Sequence, residues 1–309
     1  MHSEPHDLHE HSHHHHVGHD LGRRRLALVL AITAGFMVVE FVGGLLANSL
    51  ALMADAAHML GDVGALGLSL FALGFARRPA TAAKSYGYYR IEILAALANG
   101  LTLSVISIVI FAQAWSRLRS PEVVEGPLML GVATVGLLVN LFAAAALHGT
   151  KAHNLNIRGA YLHVLGDLLG SVGAILAAVL ILLTGWTPAD ALISCVVGVL
   201  ILVGSWRLVR ESVDVLLEAV PRDIDLDAVR LAVLSVPGVD TVHDLHVWTL
   251  TSGFRAMSGH AVIKDPRNHN DVIQAIHARM HEDFGISHVT VQVEYRAMVR
   301  IRERFEAGR

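Results

Sequence analysis

The chain has 309 residues, of which 53% are hydrophobic and only 17% charged, and its net charge is −3 with histidine neutral. A water-soluble domain carries about a quarter charged residues, so with a mean hydropathy of +0.51 a mostly membrane-embedded protein is the class that fits. The charge balance excludes a general nucleic-acid footprint. The single cysteine, Cys195, excludes internal disulfides and a cysteine-rich metal site, and in its apolar stretch it reads as a small buried residue.

Residues 1–22 are expected to form a disordered tail. Nine histidines lie between His2 and His19, including the run His13 to His16, interspersed with Glu4, Asp7, Glu10 and Asp20. Such a tract binds metal loosely and has too few apolar residues to fold. The apolar segment after it is too long for a signal peptide and lacks a cleavage site. An expression tag is the bland alternative, which the interspersed acids disfavour.

Residues 23–210 read as a membrane domain of six helices. Each apolar run is near the ~20 residues that cross the hydrocarbon core, with limits near 26–47, 50–76, 91–115, 127–148, 158–184 and 189–209. Arg23, Arg24 and Arg25 precede the first span. Arg77, Arg78, Lys84 and Arg90 lie between the second and third, Lys151 and Arg158 between the fourth and fifth, and Arg207 and Arg210 at the end of the sixth. The loops after spans one and five have no Lys or Arg, and Arg117 and Arg119 sit beside Glu122 and Glu125. The positive-inside rule then puts both termini in the cytoplasm.

From about residue 211 the composition becomes that of a small soluble domain, 211–295, followed by a charged tail, 296–309. Asp225 to Ser235 has a helical pattern, broken by Val236-Pro237-Gly238. Val239 to Leu250 and Arg255 to Lys264 read as strands around Thr251-Ser252-Gly253. Asn268 to Phe284 reads as a helix, and Ser287 to Tyr295 as a strand with Val289, Val291 and Val293 on one face. The order αββαβ suggests a ferredoxin-like or metallochaperone-like sandwich.

The chemistry-bearing pattern is written twice. His58-Met59-Leu60-Gly61-Asp62 and His163-Val164-Leu165-Gly166-Asp167 each lie inside an apolar run. Four residues on a helix rise roughly 6 Å, so each histidine and aspartate point the same way. A carboxylate at membrane depth is expensive and marks a functional site by default. Two such spans facing each other supply two imidazole nitrogens and two carboxylate oxygens, a set suited to a tetrahedral divalent metal, zinc first. Asp55, three residues before His58, reads equally as an acceptor orienting an imidazole or as a helix-start residue near the outer surface. Glu40, Asn99 and Asn140 line the ion path or stitch helices, stitching being favoured for the asparagines. Gly43, Gly44, Gly64, Gly67, Gly170 and Gly173 read as packing positions.

In the soluble domain, His243-Asp244-Leu245-His246-Val247-Trp248 lies on a strand. Strict alternation puts His243 with Leu245 on one face and Asp244 with His246 on the other. His260 on the next strand and Glu294 at the end of the last make, with His243, a possible surface metal site. His269, His277, His281 and His288 are weaker candidates that read as solvated. A membrane metalloenzyme is disfavoured, since no nucleophile or general base stands beside the buried set. A metal sensor or buffer that binds without transport is the alternative to a transporter.

The chain resembles the cation diffusion facilitators, especially their zinc/cobalt/cadmium efflux branch, from about Leu26 to Tyr295. The resemblance is carried by the segment Ser49 to Asp62, by Tyr86-Gly87-Tyr88-Tyr89-Arg90-Ile91-Glu92 and its continuation to Leu97, by Gly159 to Asp167, and by His243 to Trp248. It implies six membrane helices, a cytoplasmic αββαβ domain, a homodimer and no organic cofactor. It implies one transport site per protomer at His58, Asp62, His163 and Asp167, with histidine at position 58 going with zinc selectivity. It matches the family's cytoplasmic metal sites to His243, His260 and Glu294, with His288 near another ligand position. Zn²⁺ export in exchange for protons is the expected function, Cd²⁺ and Co²⁺ being possible further cargo, and Zn²⁺ at the cytoplasmic site a possible regulatory ligand. The short His148-Gly149-Thr150-Lys151-Ala152-His153 connection is more similar to bacterial members, and so points to a bacterial cytoplasmic (inner) membrane.

Overall fold

The computed structural model describes residues 16–76, 81–148 and 155–295, with some side chains inside helices, those of Asp62 and His163 among them, lying outside the described set. Six long helices come first: α1 His16–Leu46, α2 Leu50–Ala76, α3 Arg90–Arg119, α4 Gly126–His148, α5 Leu155–Thr184 and α6 Pro188–Leu216. Four of them, α3 and α6 throughout, α4 over Gly126–Ala145 and α5 over Asp167–Thr184, are long and apolar enough to cross a membrane. The apolar parts described for α1 and α2, Ala31–Leu46 and Leu50–Gly61, are shorter. Large apolar side chains such as Phe41, Ile108, Leu169 and Leu183 face outward, as they do where the solvent is lipid.

Two helix limits depart from the sequence expectation. Helix α1 already begins at His16, inside the segment expected to be unstructured. Extending a nucleated helix adds one hydrogen bond per residue and costs little, even through polar sequence. At the other end α6 runs past residue 210 to Leu216. Its polar end is helical too, with Arg207 donating to Glu211 one turn on at 2.8 Å.

The chain divides into two compact units, residues 1–64 with 102–205, and residues 65–101 with 206–309. In the first, α4 packs along both α5 and α1. Small residues allow close approach: a Cβ on Gly43 would sit 2.7 Å from Val132. A Cβ on Gly67, in contrast, would meet nothing within 4 Å among the described residues. Cys195 is partly buried against Leu50, Ala114 and Ala191.

The second unit contains the soluble fold: α7 Leu226–Leu234, β1 Val239–Thr251, β2 Phe254–Ile263, α8 His269–Phe284 and β3 His288–Tyr295. Asp225 caps α7 by accepting from the Asp227 N–H at 3.0 Å. Gly285 ends α8 in the left-handed conformation, φ 62°. The sheet order is β1-β2-β3, with β1 and β2 antiparallel and β2 and β3 parallel. Val229 and Val233 of α7 and Val272, Ile276 and Met280 of α8 pack on Leu245, Val247, Met257 and Ala261 of the sheet. This is the expected αββαβ order.

The Tyr86–Glu92 segment belongs to this unit. The Tyr86 ring stands edge-on to His288, and Tyr89 packs against Phe254. At the start of α3, the Glu92 carboxylate accepts from the hydroxyls of Thr251 and Ser252 at the β1–β2 turn. Arg90 pairs with Glu218 at 2.5 Å.

Candidate metal centres

Helices α2 and α5 bring His58 and Asp167 together: His58 Nε2 lies 3.6 Å from Asp167 Oδ1. Asp167 is 3% exposed, a carboxylate held inside a stretch apolar enough to span the membrane. Asp62 and His163 sit on the same two helices, four residues from His58 and Asp167, but their side chains lie outside the described residues. Asp55 lies inside α2, past its first turn, and is buried, so it is not a helix cap. A Cβ on Gly170 of α5 would come within 2.7 Å of Asp55 Oδ1, so the bare glycine is what lets α5 lie against that carboxyl. Glu40 of α1 is fully buried nearby, with Asp55 as its neighbour. Asn140 donates to Ser171 Oγ at 3.2 Å, stitching α4 to α5 as expected. Asn99 is half-buried.

Sequence reasoning missed a further buried acid. Asp190, at the start of α6, is 1% exposed. It accepts from Ser49 Oγ at 2.6 Å and from the Leu50 and Ala51 N–H groups at 2.7 and 3.0 Å, capping α2 from another helix. Arg117 Nη1 approaches it at 3.4 Å and also donates to the Asn48 carbonyl at 2.7 Å. The visible signal was an acid in the first turn of a span, which helix-dipole arguments already favour.

On the sheet face away from its helices, His243, His260 and Glu294 each offer an atom within 4.8 Å of the others. His260 Nδ1 lies 2.7 Å from Glu294 Oε1 and His243 Nε2 3.3 Å from Glu294 Oε2. Register makes the site, since His243 pairs with His260 across β1 and β2, and Glu294 lies beside them on β3. A tetrahedral divalent ion with bonds of ~2.1 Å needs its ligand atoms about 3.4 Å apart. These separations fit that with small side-chain adjustments.

Strict alternation along β1 fails here. The register shifts between His243 and His246, and Asp244 adopts φ 52°. This bulge puts one extra residue on the outer face. Leu245 is therefore buried in the core while His243 faces outward with Asp244 and His246, so His243 and Leu245 do not share a face. The bulge also brings Asp244 Oδ2 to 3.6 Å from His260 Nε2, a fourth oxygen at the cluster. Burial pushes the Glu294 carboxyl up, but hydrogen bonds and charge from His260 and His243 outweigh it and hold the carboxyl below its ordinary value. The His246 hydrogen bond, aided by the three imidazoles, likewise lowers Asp244. His269 joins Tyr295 at 3.2 Å, and His288 meets Tyr86 edge-on and lies tilted beside Phe254, neither in the cluster.

Residues 26–217 match the family description "Cation efflux transmembrane domain" and residues 221–296 match "Cation efflux protein, cytoplasmic domain". The chain belongs to the cation efflux family. It is thus a multi-pass membrane carrier that moves divalent metal cations, not an enzyme. Among its relatives, "Zinc transporter ZitB" of Escherichia coli is 44% identical over 290 residues, covering 92% of each chain. "Metal cation efflux system protein CzcD" of Cupriavidus metallidurans is 43% identical, covering 92% of this chain and 89% of that one. "Cadmium, cobalt and zinc/H(+)-K(+) antiporter" of Bacillus subtilis is 41% identical, covering 90% and 92%. A solved structure, the metal-bound C-terminal domain of the CzcD transporter, is 37% identical and covers 23% of this chain and 99% of its own, with a TM-score of 0.22.

Proposed function

We propose that this cation efflux protein exports Zn²⁺ from the cytoplasm in exchange for protons, with Cd²⁺ and Co²⁺ as further cargo. The transport site is His58 and Asp62 of α2 with His163 and Asp167 of α5. The observation that carries the reading is the approach of His58 to the buried Asp167 across two membrane helices. Zn²⁺ with two carboxylates and two neutral imidazoles has no net charge, which a low-dielectric bundle tolerates. When the metal leaves, two bare carboxylates remain, and buried charge without a partner costs several kcal/mol. Proton uptake offsets that cost. Imidazole, with an ordinary pKa of ~6.5, competes with metal for the same nitrogen, so the two ions move in opposite directions. Rocking of the helices exposes the site to each side in turn.

The cytoplasmic cluster His243, His260 and Glu294, with Asp244 beside it, binds Zn²⁺ as a regulatory or dimer-stabilising ligand. Two protomers assemble through the cytoplasmic domain. The domain limits are a histidine-rich tail to 22, a membrane domain to 210, a cytoplasmic domain to 295 and a charged tail. Arginine-rich loops support placing both termini in the cytoplasm of a bacterial inner membrane. The relatives named for zinc and for proton-coupled antiport support the cargo and the coupling.

The test is Zn²⁺ flux in proteoliposomes under a pH gradient, comparing the wild type with Asp167→Ala. Zinc that follows the gradient and stops in the variant is the expected result. Flux that survives moves the site elsewhere, and no flux of any divalent metal returns the sensor reading.

A further inference from the structure

Glu40, in the apolar part of α1, is fully buried, and neither of its carboxyl oxygens meets a hydrogen-bond donor among the described residues. The group within its hydrogen-bonding reach is the Asp55 carboxyl of α2, which is 3% exposed. Helix α4, which packs along α1, has no titratable side chain between Gly126 and Ala145. From α5, the charge of Asp167 acts on both carboxyls, and Gly170 lies directly against Asp55. Ionised carboxylates only accept hydrogen bonds. Two of them side by side in a dry core repel each other and lose their hydration, and one proton held between them would relieve both costs.

We propose that Glu40 and Asp55 share one proton, and that this proton is one of those exchanged for the metal. The inference rests on the antiport reading above but uses groups outside the ligand set. A divalent ion arriving beside Asp167 adds positive charge near the pair and favours its ionised form, so the proton leaves. Departure of the metal restores the negative field of Asp167, and the proton returns. Metal and proton here share no atom. Their coupling runs through the Asp167 charge, whereas at the imidazoles it is competition for one nitrogen. Glu40 meets no donor among the described residues, and in this scheme the donor it lacks is the transported proton.

The experiment is a count of protons moved per zinc, with the full-length protein in proteoliposomes loaded with zinc and pH dyes. Glu40→Gln is close to isosteric, and its amide donates to Asp55 where the shared proton would. Equilibrium zinc titration of the detergent-solubilised variant, counted as the sites lost on adding Asp167→Ala, reports whether the transport site survives. The expected result is zinc binding close to wild type with the proton count lower by one and a flatter dependence of transport on pH. An unchanged count overturns the proposal. So does loss of zinc binding in both Glu40→Gln and Asp55→Asn, since the pair would then be structural or part of the metal site. Failure of the antiport reading itself is seen separately, in a wild type that moves zinc and no protons.

Discussion

Replacing Asp190 with alanine removes one carboxylate that holds three helices. Its oxygens accept from Ser49 Oγ at 2.6 Å, Leu50 N at 2.7 Å and Ala51 N at 3.0 Å, and face Arg117 at 3.4 Å. The two N–H groups belong to the first turn of α2, where no carbonyl of the helix can reach them. Leaving a buried donor unpaired costs about 1–3 kcal/mol, so the two together cost about 2–6 kcal/mol. Arg117 is not stranded, because it keeps Asn48 Oδ1 at 2.7 Å and Glu122 at 3.3 Å. Its share of the loss is therefore small. The sum is therefore about 2–6 kcal/mol, set by the two orphaned N–H groups. Asp190→Asn keeps one acceptor oxygen and is expected to cost about half as much. The assay is an SDS-unfolding titration of the purified full-length protein in mixed micelles, with thermal melting as a second readout. A loss below about 1 kcal/mol for Asp190→Ala would refute the reasoning, because the orphaned N–H groups would then have found other acceptors.

Two further outcomes follow from the cytoplasmic domain. Glu294 is held below its ordinary value in the fold, so its interactions stabilise the domain fully above pH ~4.3 and are lost as pH falls through the lowered folded value. Glu294→Gln should therefore lower the melting temperature at neutral pH, with the gap to wild type closing at acid pH, as followed by circular dichroism; a gap that widens on acidification contradicts the sign. Gly285→Ala places a Cβ at φ 62° and should cost about 1 kcal/mol in chemical denaturation, with the proposed zinc binding at His243 and His260 unaffected.

How much of this could be read from the residues differs between the two sites. The membrane pattern stood out in the sequence because a repeated histidine and aspartate inside lipid-length apolar sequence has no cheap structural explanation. Helical periodicity also states which side chains share a face. The cytoplasmic cluster was legible in its members but not in its geometry. Period-two reasoning assigns His243 to the face of Leu245, and a single extra residue at Asp244 reverses that.

Composition and apolar spacing alone determined that the chain crosses a membrane several times, that a small αββαβ domain follows, and that His58, Asp62, His163 and Asp167 are its unusual residues. These are properties of short stretches, set by transfer into lipid and by helical pitch. Only the tertiary structure decided that Asp190 caps a helix 140 residues before it, that Asp244 turns back to His260, and that Glu40 meets Asp55 with no donor to Glu40 among the described residues. The physical reason is that each is a meeting of polar groups from separate elements. A hydrogen bond is specified by distances of a few tenths of an ångström, and those distances are set by packing and register between elements.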